Sequence, residues 1–190
     1  MKTFIHTWSL VDKLYFCLTR LEYVNQSEKN IFRVKPLYFR GDTLSLSDGF
    51  AFHHNDLLLK IHLHNCQLLK EMMTIQNDVK RALYVYDRVE KSLPGLAQYV
   101  ASHPKEKQIK GILGVTLLTR GVRKLGFEVR EIRNPFYLHL KQAYLKPMFL
   151  LCHPNWRNMA KDKDMVPKFL VMSKEKLLEH YLPSDDKVIT

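Results

Sequence analysis

From Leu57 to His64 the chain alternates, with Leu57, Leu59, Ile61 and Leu63 at one parity and Lys60, His62 and His64 at the other. A period of two sends successive side chains to opposite faces of extended backbone, so this stretch predicts a strand with one apolar and one wet face. Two more strand-like runs precede it, Ile31–Phe39 and Thr43–Leu46, punctuated by Gly41-Asp42 and Asp48-Gly49. Short strands in immediate succession predict an antiparallel meander. The period then changes. Val79, Leu83, Tyr86 and Val89 recur at helical spacing within Asn77–Ala101. The combination predicts an α+β fold, a small and mostly antiparallel sheet packed against several helices.

The other segments fill in that picture. Apolar residues at helical spacing predict an amphipathic helix over Thr7–Leu21, and a short one is expected over Cys66–Met73. Pro94-Gly95 should kink or interrupt the long helix. A strand is expected at Ile109–Leu113, then a helix whose face is Val115, Leu118, Val122 and Leu125, ended by Gly126. Phe127–Ile132 reads as a strand. Phe136–Lys146 reads as a helix followed by a short strand near Phe149, and His153–Pro167 as a loop. A last strand, Phe169–Met172, leads into a helix N-capped by Ser173 and running to Tyr181. With 190 residues and few glycines or prolines, residues 1–183 are expected to form one domain with a loose tail at 184–190.

Charge narrows the partners. Thirty Lys and Arg against nineteen Asp and Glu give a formal charge of +11, which favours polyanions: acidic lipid, phosphate-bearing glycopolymers or metabolites, or nucleic acid. The plainer alternative is a charge that serves solubility. No helix-turn-helix, zinc-finger or RNA-recognition signature is present, which argues against sequence-specific DNA reading. Tyr84, Tyr86, Tyr99 and Trp156 are candidate stacking groups for single strands, although they follow the core period of their helices. Cys17, Cys66 and Cys152 are odd in number and widely spaced, which points to a reducing compartment and hence a cytoplasmic protein. The charged first 25 residues do not read as a signal peptide or a membrane span. The Thr7–Leu21 helix offers a peripheral membrane contact, with burial in the core as the simpler reading.

Two groups of residues are candidates for chemistry. His62 and His64 share a strand face and have the right chemistry for a general base near neutral pH. With His53, His54 and Asp56 they would also make metal ligands, but Lys60 on the same face opposes a divalent cation, and no metal is assigned. The second group is Gly111, Gly114 and Thr116, where a strand turning into a helix would expose backbone N–H groups to a phosphate. Arg120, Arg123 and Lys124 lie beyond that turn, and Arg33 and Lys35 are placed to join them in a basic patch. The alternative for the two glycines is close strand–helix packing. The sequence calls for no cofactor.

Several segments, taken in order, carry a family likeness. They are Phe32-Arg33-Val34, Leu46-Ser47-Asp48-Gly49, Asn55-Asp56, Lys60 to Asn65, Gly114 to Leu118, Leu125 to Val129, His153-Pro154, and Met172-Ser173-Lys174. The order resembles that of the YkoP-like proteins of Bacillus and related bacteria, across nearly the whole chain. A similar segment occurs joined to the C-terminus of polysaccharide deacetylases. The family pattern has Gly-Asp and Glu-Leu-His where this chain has Asn55-Asp56 and Lys60-Ile61-His62. The resemblance implies a link to cell-envelope polysaccharide or lipid metabolism and supplies no catalytic residue.

The sequence therefore points first to an accessory domain that binds an anionic partner. An acyl-CoA-dependent N-acyltransferase-like enzyme is the alternative, and a metal-dependent hydrolase the third.

Overall fold

A computed structural model describes residues 21–72, 74–117, 119–151 and 166–183. The expected helix at Thr7–Leu21 (apart from Leu21 itself), Cys17, Cys152, the His153-Pro154 and Trp156 region, the Lys161–Asp164 run and the tail at 184–190 lie outside the described residues.

Among the described residues the elements run β1 (Glu22–Tyr23), β2 (Phe32–Tyr38), β3 (Leu44–Ser45), β4 (Ala51–Phe52), β5 (Leu57–Leu63), α1 (Asn65–Met72) and α2 (Asp78–Ala101). Then follow β6 (Ile109–Thr116), β7 (Glu128–Glu131), α3 (Pro135–Leu151), β8 (Lys168–Ser173) and α4 (Lys174–Tyr181). Six strands form one sheet in the order β1-β2-β5-β6-β8-β7, and β3 pairs with β4 in a separate hairpin. Every pairing in the large sheet is antiparallel except β5 with β6. This is the α+β architecture expected.

Alternation divides the sheet between two cores. One face carries Phe32, Val34, Leu59, Ile61, Ile112, Leu170 and Met172, packed under Leu93, Leu96, Ala97 and Val100 of α2 and Leu177 of α4. On the other face, Leu58, Leu113 and Val171 pack under Phe39, Leu46 and Phe52 of the β3–β4 hairpin and its flanks. The hairpin covers part of that face, and α3 meets it elsewhere through Tyr137, which stacks on Phe169 with ring centroids 6.0 Å apart and lies 3.4 Å from the Lys60 ammonium.

Five expectations are corrected. The three successive strands do not form a meander, because β3 pairs with β4 in its own hairpin and β2 pairs directly with β5. The helix α2 runs through Pro94 instead of breaking there. The exposed proline costs one backbone bond, while the opposite side is fixed to the residues just before β2. Asn30 Nδ2 donates to the Ser92 carbonyl at 2.9 Å, and Ser92 Oγ accepts the Ile31 N–H at 3.3 Å. The helix expected from Val115 to Leu125 does not form. Val115 and Thr116, both good strand formers, pair with Phe169 and Lys168 and extend β6. Only Val122–Leu125 makes a 3₁₀ turn, bounded by Gly121 and Gly126 in left-handed conformation. The strand expected near Phe149 is the last turn of α3. Finally, the parity of Lys60 and His62 is not a wet face, because α3 lies over it and leaves both partly buried.

Candidate functional site

In the β2–β5 register Lys35 stands directly opposite Lys60, and Arg33 opposite His62. By strand parity all four side chains lie on the α3 side of the sheet. Like charges facing each other across antiparallel strands repel. A third cation, Lys141, comes down from α3 with its Nζ 5.3 Å from the Tyr137 ring centroid. The Lys60 ammonium is 3.4 Å from the Tyr137 hydroxyl and 6.0 Å from its ring centroid. Lys35, Lys60 and Lys141 take part in none of the ion pairs among the described residues. Composition explains why. The described elements that flank these lysines, β2, β5, β6, β8 and α3, contain no Asp or Glu, and the Glu128 carboxylate on the same sheet face sits at the far edge, in β7, held by Ser47 and Arg130.

The energetic cost appears in the acid–base behaviour. Burial first, then the charges of Lys141 and Lys35, brings the Lys60 ammonium from its ordinary 10.5 down to about 8. Lys141 is lowered too, by burial and by Lys35. His62 is pushed down to about 3 by burial and then by Lys60, Lys141, Lys35 and Arg33, so it stays a neutral imidazole at physiological pH.

The site lies where the sheet changes character. The β5–β6 ladder, the parallel one, is paired from Leu57↔Ile109 to Lys60↔Leu113 and stops there. Beyond it Ile61–Leu63 pair only with β2, and Gly114–Thr116 only with β8. The two strands part at their carboxyl ends, and Lys60 is the last rung. In open sheets with parallel strands, a change of topology at strand carboxyl ends is where ligand crevices form.

The residues singled out from the sequence separate into three places. Arg33, Lys35 and His62 belong to the cationic face. His64 lies past the end of β5, where its carbonyl accepts the N–H groups of Gln67 and Leu68 at the start of α1. Its Nε2 is 2.6 Å from Arg33 Nη2, which also reaches the Tyr23 hydroxyl at 3.1 Å. Gly111 and Gly114 are interior strand residues, so the helix N-terminus that was to bind phosphate is not there. A Cβ on Gly111 would come within 2.5 Å of Phe52 Cζ and of the Met172 carbonyl oxygen, and one on Gly114 within 3.1 Å of Ile61 Cγ1. Close packing is what both glycines serve. Gly114 and Ile61 lie on the α2 side, with the sheet between them and His62. Thr116 ends β6, while Arg120, Arg123 and Lys124 are exposed around the 3₁₀ turn on the α2 side.

The other candidates find ordinary partners. The Tyr84 hydroxyl donates to Glu71, the Tyr99 hydroxyl to Glu22, and Tyr86 packs against Gly121. The Asp56 carboxylate accepts the His53 N–H. Among the described residues no group of three His, Cys, Asp or Glu is placed to hold a metal. Lys60, Lys141 and Tyr137 were missed as a set. Their signal was the lack of any acid in five elements, which needs the sheet order to become a statement about one surface.

Comparison with known proteins adds a family. A family model described as "YkoP domain" matches residues 1–181. A curated protein of Bacillus subtilis (strain 168), named "Uncharacterized protein YkoP", is 38% identical over 188 residues, 97% of this chain and 100% of its own length. No solved structure matches.

Proposed function

The chain belongs to the YkoP domain family, and from its cationic sheet face we propose that the protein binds an anionic ligand against Lys35, Lys60 and Lys141. One observation carries this reading. Two lysines face each other across a ladder, a third lies over them, and the described strands and helix that flank them carry no carboxylate. Such an arrangement costs stability unless an anion completes it. The natural occupants are phosphate-bearing: an acidic lipid headgroup or a glycopolymer precursor, in keeping with the envelope link that the family likeness implies. Arg33 helps to shape the site through Tyr23 and His64.

A second reading rests on the parting of β5 and β6. A crevice between the carboxyl ends of two parallel strands, beside three lysines, also suits the phosphates of an acyl-CoA. The protein would then be a small N-acyltransferase-like enzyme. Both readings need the same cations.

Thermal denaturation with inorganic pyrophosphate is the direct test. Saturable stabilisation is expected, about 2.7 kcal/mol at a hundredfold excess over Kd, and it should weaken in Lys141→Met. An unchanged melting temperature at millimolar pyrophosphate removes the proposal. Co-sedimentation with acidic but not neutral vesicles would favour the lipid headgroup. Stronger stabilisation by acyl-CoA than by pyrophosphate would favour acyl transfer.

A further inference from the structure

Lys60 differs from its neighbours in being both the last rung of the parallel ladder and hydrogen-bonded to a tyrosine hydroxyl. An ammonium flanked by other cations and partly withdrawn from water gives up its proton more readily, and the free amine is a nucleophile. The charged groups facing it in the described structure all work in that direction, opposed only by the long Tyr137 contacts, 3.4 Å to the hydroxyl and 6.0 Å to the ring centroid, which favour the ammonium. From β2 come Lys35 and Arg33, from β5 the neutral His62, from α3 Lys141 and Tyr137, and β8 contributes only the Phe169 ring.

We propose that Lys60 is a nucleophilic lysine which condenses with the carbonyl carbon of a small anionic aldehyde or ketone held by Lys35 and Lys141. This rests on the anion site proposed above and adds a substrate class to it. The chemistry needs no oxidant or reductant. The unprotonated Nζ adds its lone pair to the carbonyl carbon, and the carbonyl oxygen takes up a proton to give a carbinolamine. Nitrogen then expels that hydroxyl, which leaves with a proton as water, and a C=N bond joins Nζ to the ligand. The two amine hydrogens and the carbonyl oxygen are accounted for in the water released. The Tyr137 hydroxyl, 3.4 Å from Nζ, is positioned to relay the proton. The cations on either side hold the ligand's charge, so a neutral carbonyl compound would react far less.

The amine is half unprotonated at about pH 8 because burial and then Lys141 and Lys35 disfavour its charge. Adduct formation should therefore rise with pH around that value.

Pyridoxal 5′-phosphate is a suitable probe, since it carries both a phosphate and an aldehyde. The full chain is incubated with a slight molar excess, reduced with borohydride and mapped by peptide mass spectrometry. One adduct at Lys60 is expected, formed at least tenfold faster than on any other lysine and suppressed by inorganic pyrophosphate. Lys60→Arg should lose the adduct, and Lys35→Met should slow adduct formation on Lys60 several-fold by loosening the hold on the ligand's charge. Adducts scattered over exposed lysines, or unaffected by pyrophosphate, would overturn the proposal. If pyrophosphate stabilises the protein and no Lys60 adduct forms, the anion site stands and the nucleophile falls. If neither occurs, both fall.

Discussion

Ser173 Oγ donates a hydrogen bond to Asp48 Oδ2 at 2.6 Å, joining two residues 125 positions apart. The same oxygen accepts the Lys176 N–H at 3.2 Å and so caps α4. Ser173 is completely buried, whereas Asp48 is exposed and its carboxylate can turn to water. Ser173→Ala therefore acts mainly by removing the cap. The expected loss is about 1 kcal/mol, measured as a lower urea midpoint with an unchanged slope. A midpoint equal to wild type would mean that the contact contributes nothing.

Three of the segments that carry the family likeness, Leu46 to Gly49, Leu125 to Val129 and Met172 to Lys174, meet through this contact and its neighbours. The turn at Asp48-Gly49 is tied to Ser173, the Ser47 N–H donates to Glu128 Oε1 at 2.7 Å, and Lys174 pairs with Glu106 at 2.7 Å. These residues fasten the β3–β4 hairpin to β7 and β8, and α4 to the turn before β6. In those three segments the likeness is a signature of architecture.

The sequence showed most of the elements because their periods are local. β2, β5, β8 and the cap at Ser173 stand where alternation and capping chemistry place them. It failed where a distant partner decides. Val115-Thr116 followed a helical spacing until β8 supplied a ladder, and Pro94 read as a break until Asn30 and Ser92 fixed the helix beside it. The candidate site was half visible. Arg33, Lys35 and His62 were singled out, but Lys60 was read only as an obstacle to a metal. Its opposition to Lys35 depends on register, and its cover by Lys141 on which face α3 occupies. Neither is encoded in spacing along the chain.

The two strand glycines should respond very differently to a methyl group. Gly111→Ala drives its Cβ to 2.5 Å from both Phe52 Cζ and a backbone oxygen of β8, between two rigid layers. A loss of about 3 kcal/mol is expected. Gly114→Ala meets only the end of Ile61 at 3.1 Å, and about 1 kcal/mol should suffice. Equal melting temperatures for the two variants would contradict this packing. Wild-type pyrophosphate binding by Gly114→Ala would agree with a glycine that only packs.

Lys35→Met tests whether the site is held at the expense of stability. Removing one of two opposed ammoniums should stabilise the ligand-free protein by about 0.5–1 kcal/mol. The same change should weaken stabilisation by pyrophosphate several-fold. A variant less stable than wild type without anion would show that Lys35 is already compensated, and the cationic face would lose its functional meaning.

His62 gives the pH dependence a definite sign. Its folded value, about 3, lies below the ordinary 6.5, so the unfolded chain takes up the proton first as the pH falls. The contribution is complete above 6.5 and declines below it, by at most about 1.4 kcal/mol per pH unit. Carboxylates add their own losses only lower down, so the difference between wild type and a His62 variant from 6.5 to about 4.5 reports this imidazole. His62→Gln is neutral throughout and should flatten the stability curve across that window. Urea titrations of both proteins at half-unit steps would show it. Parallel curves would mean that His62 accepts a proton as freely in the fold as in the unfolded chain, which is incompatible with a buried imidazole ringed by Lys60, Lys141, Lys35 and Arg33.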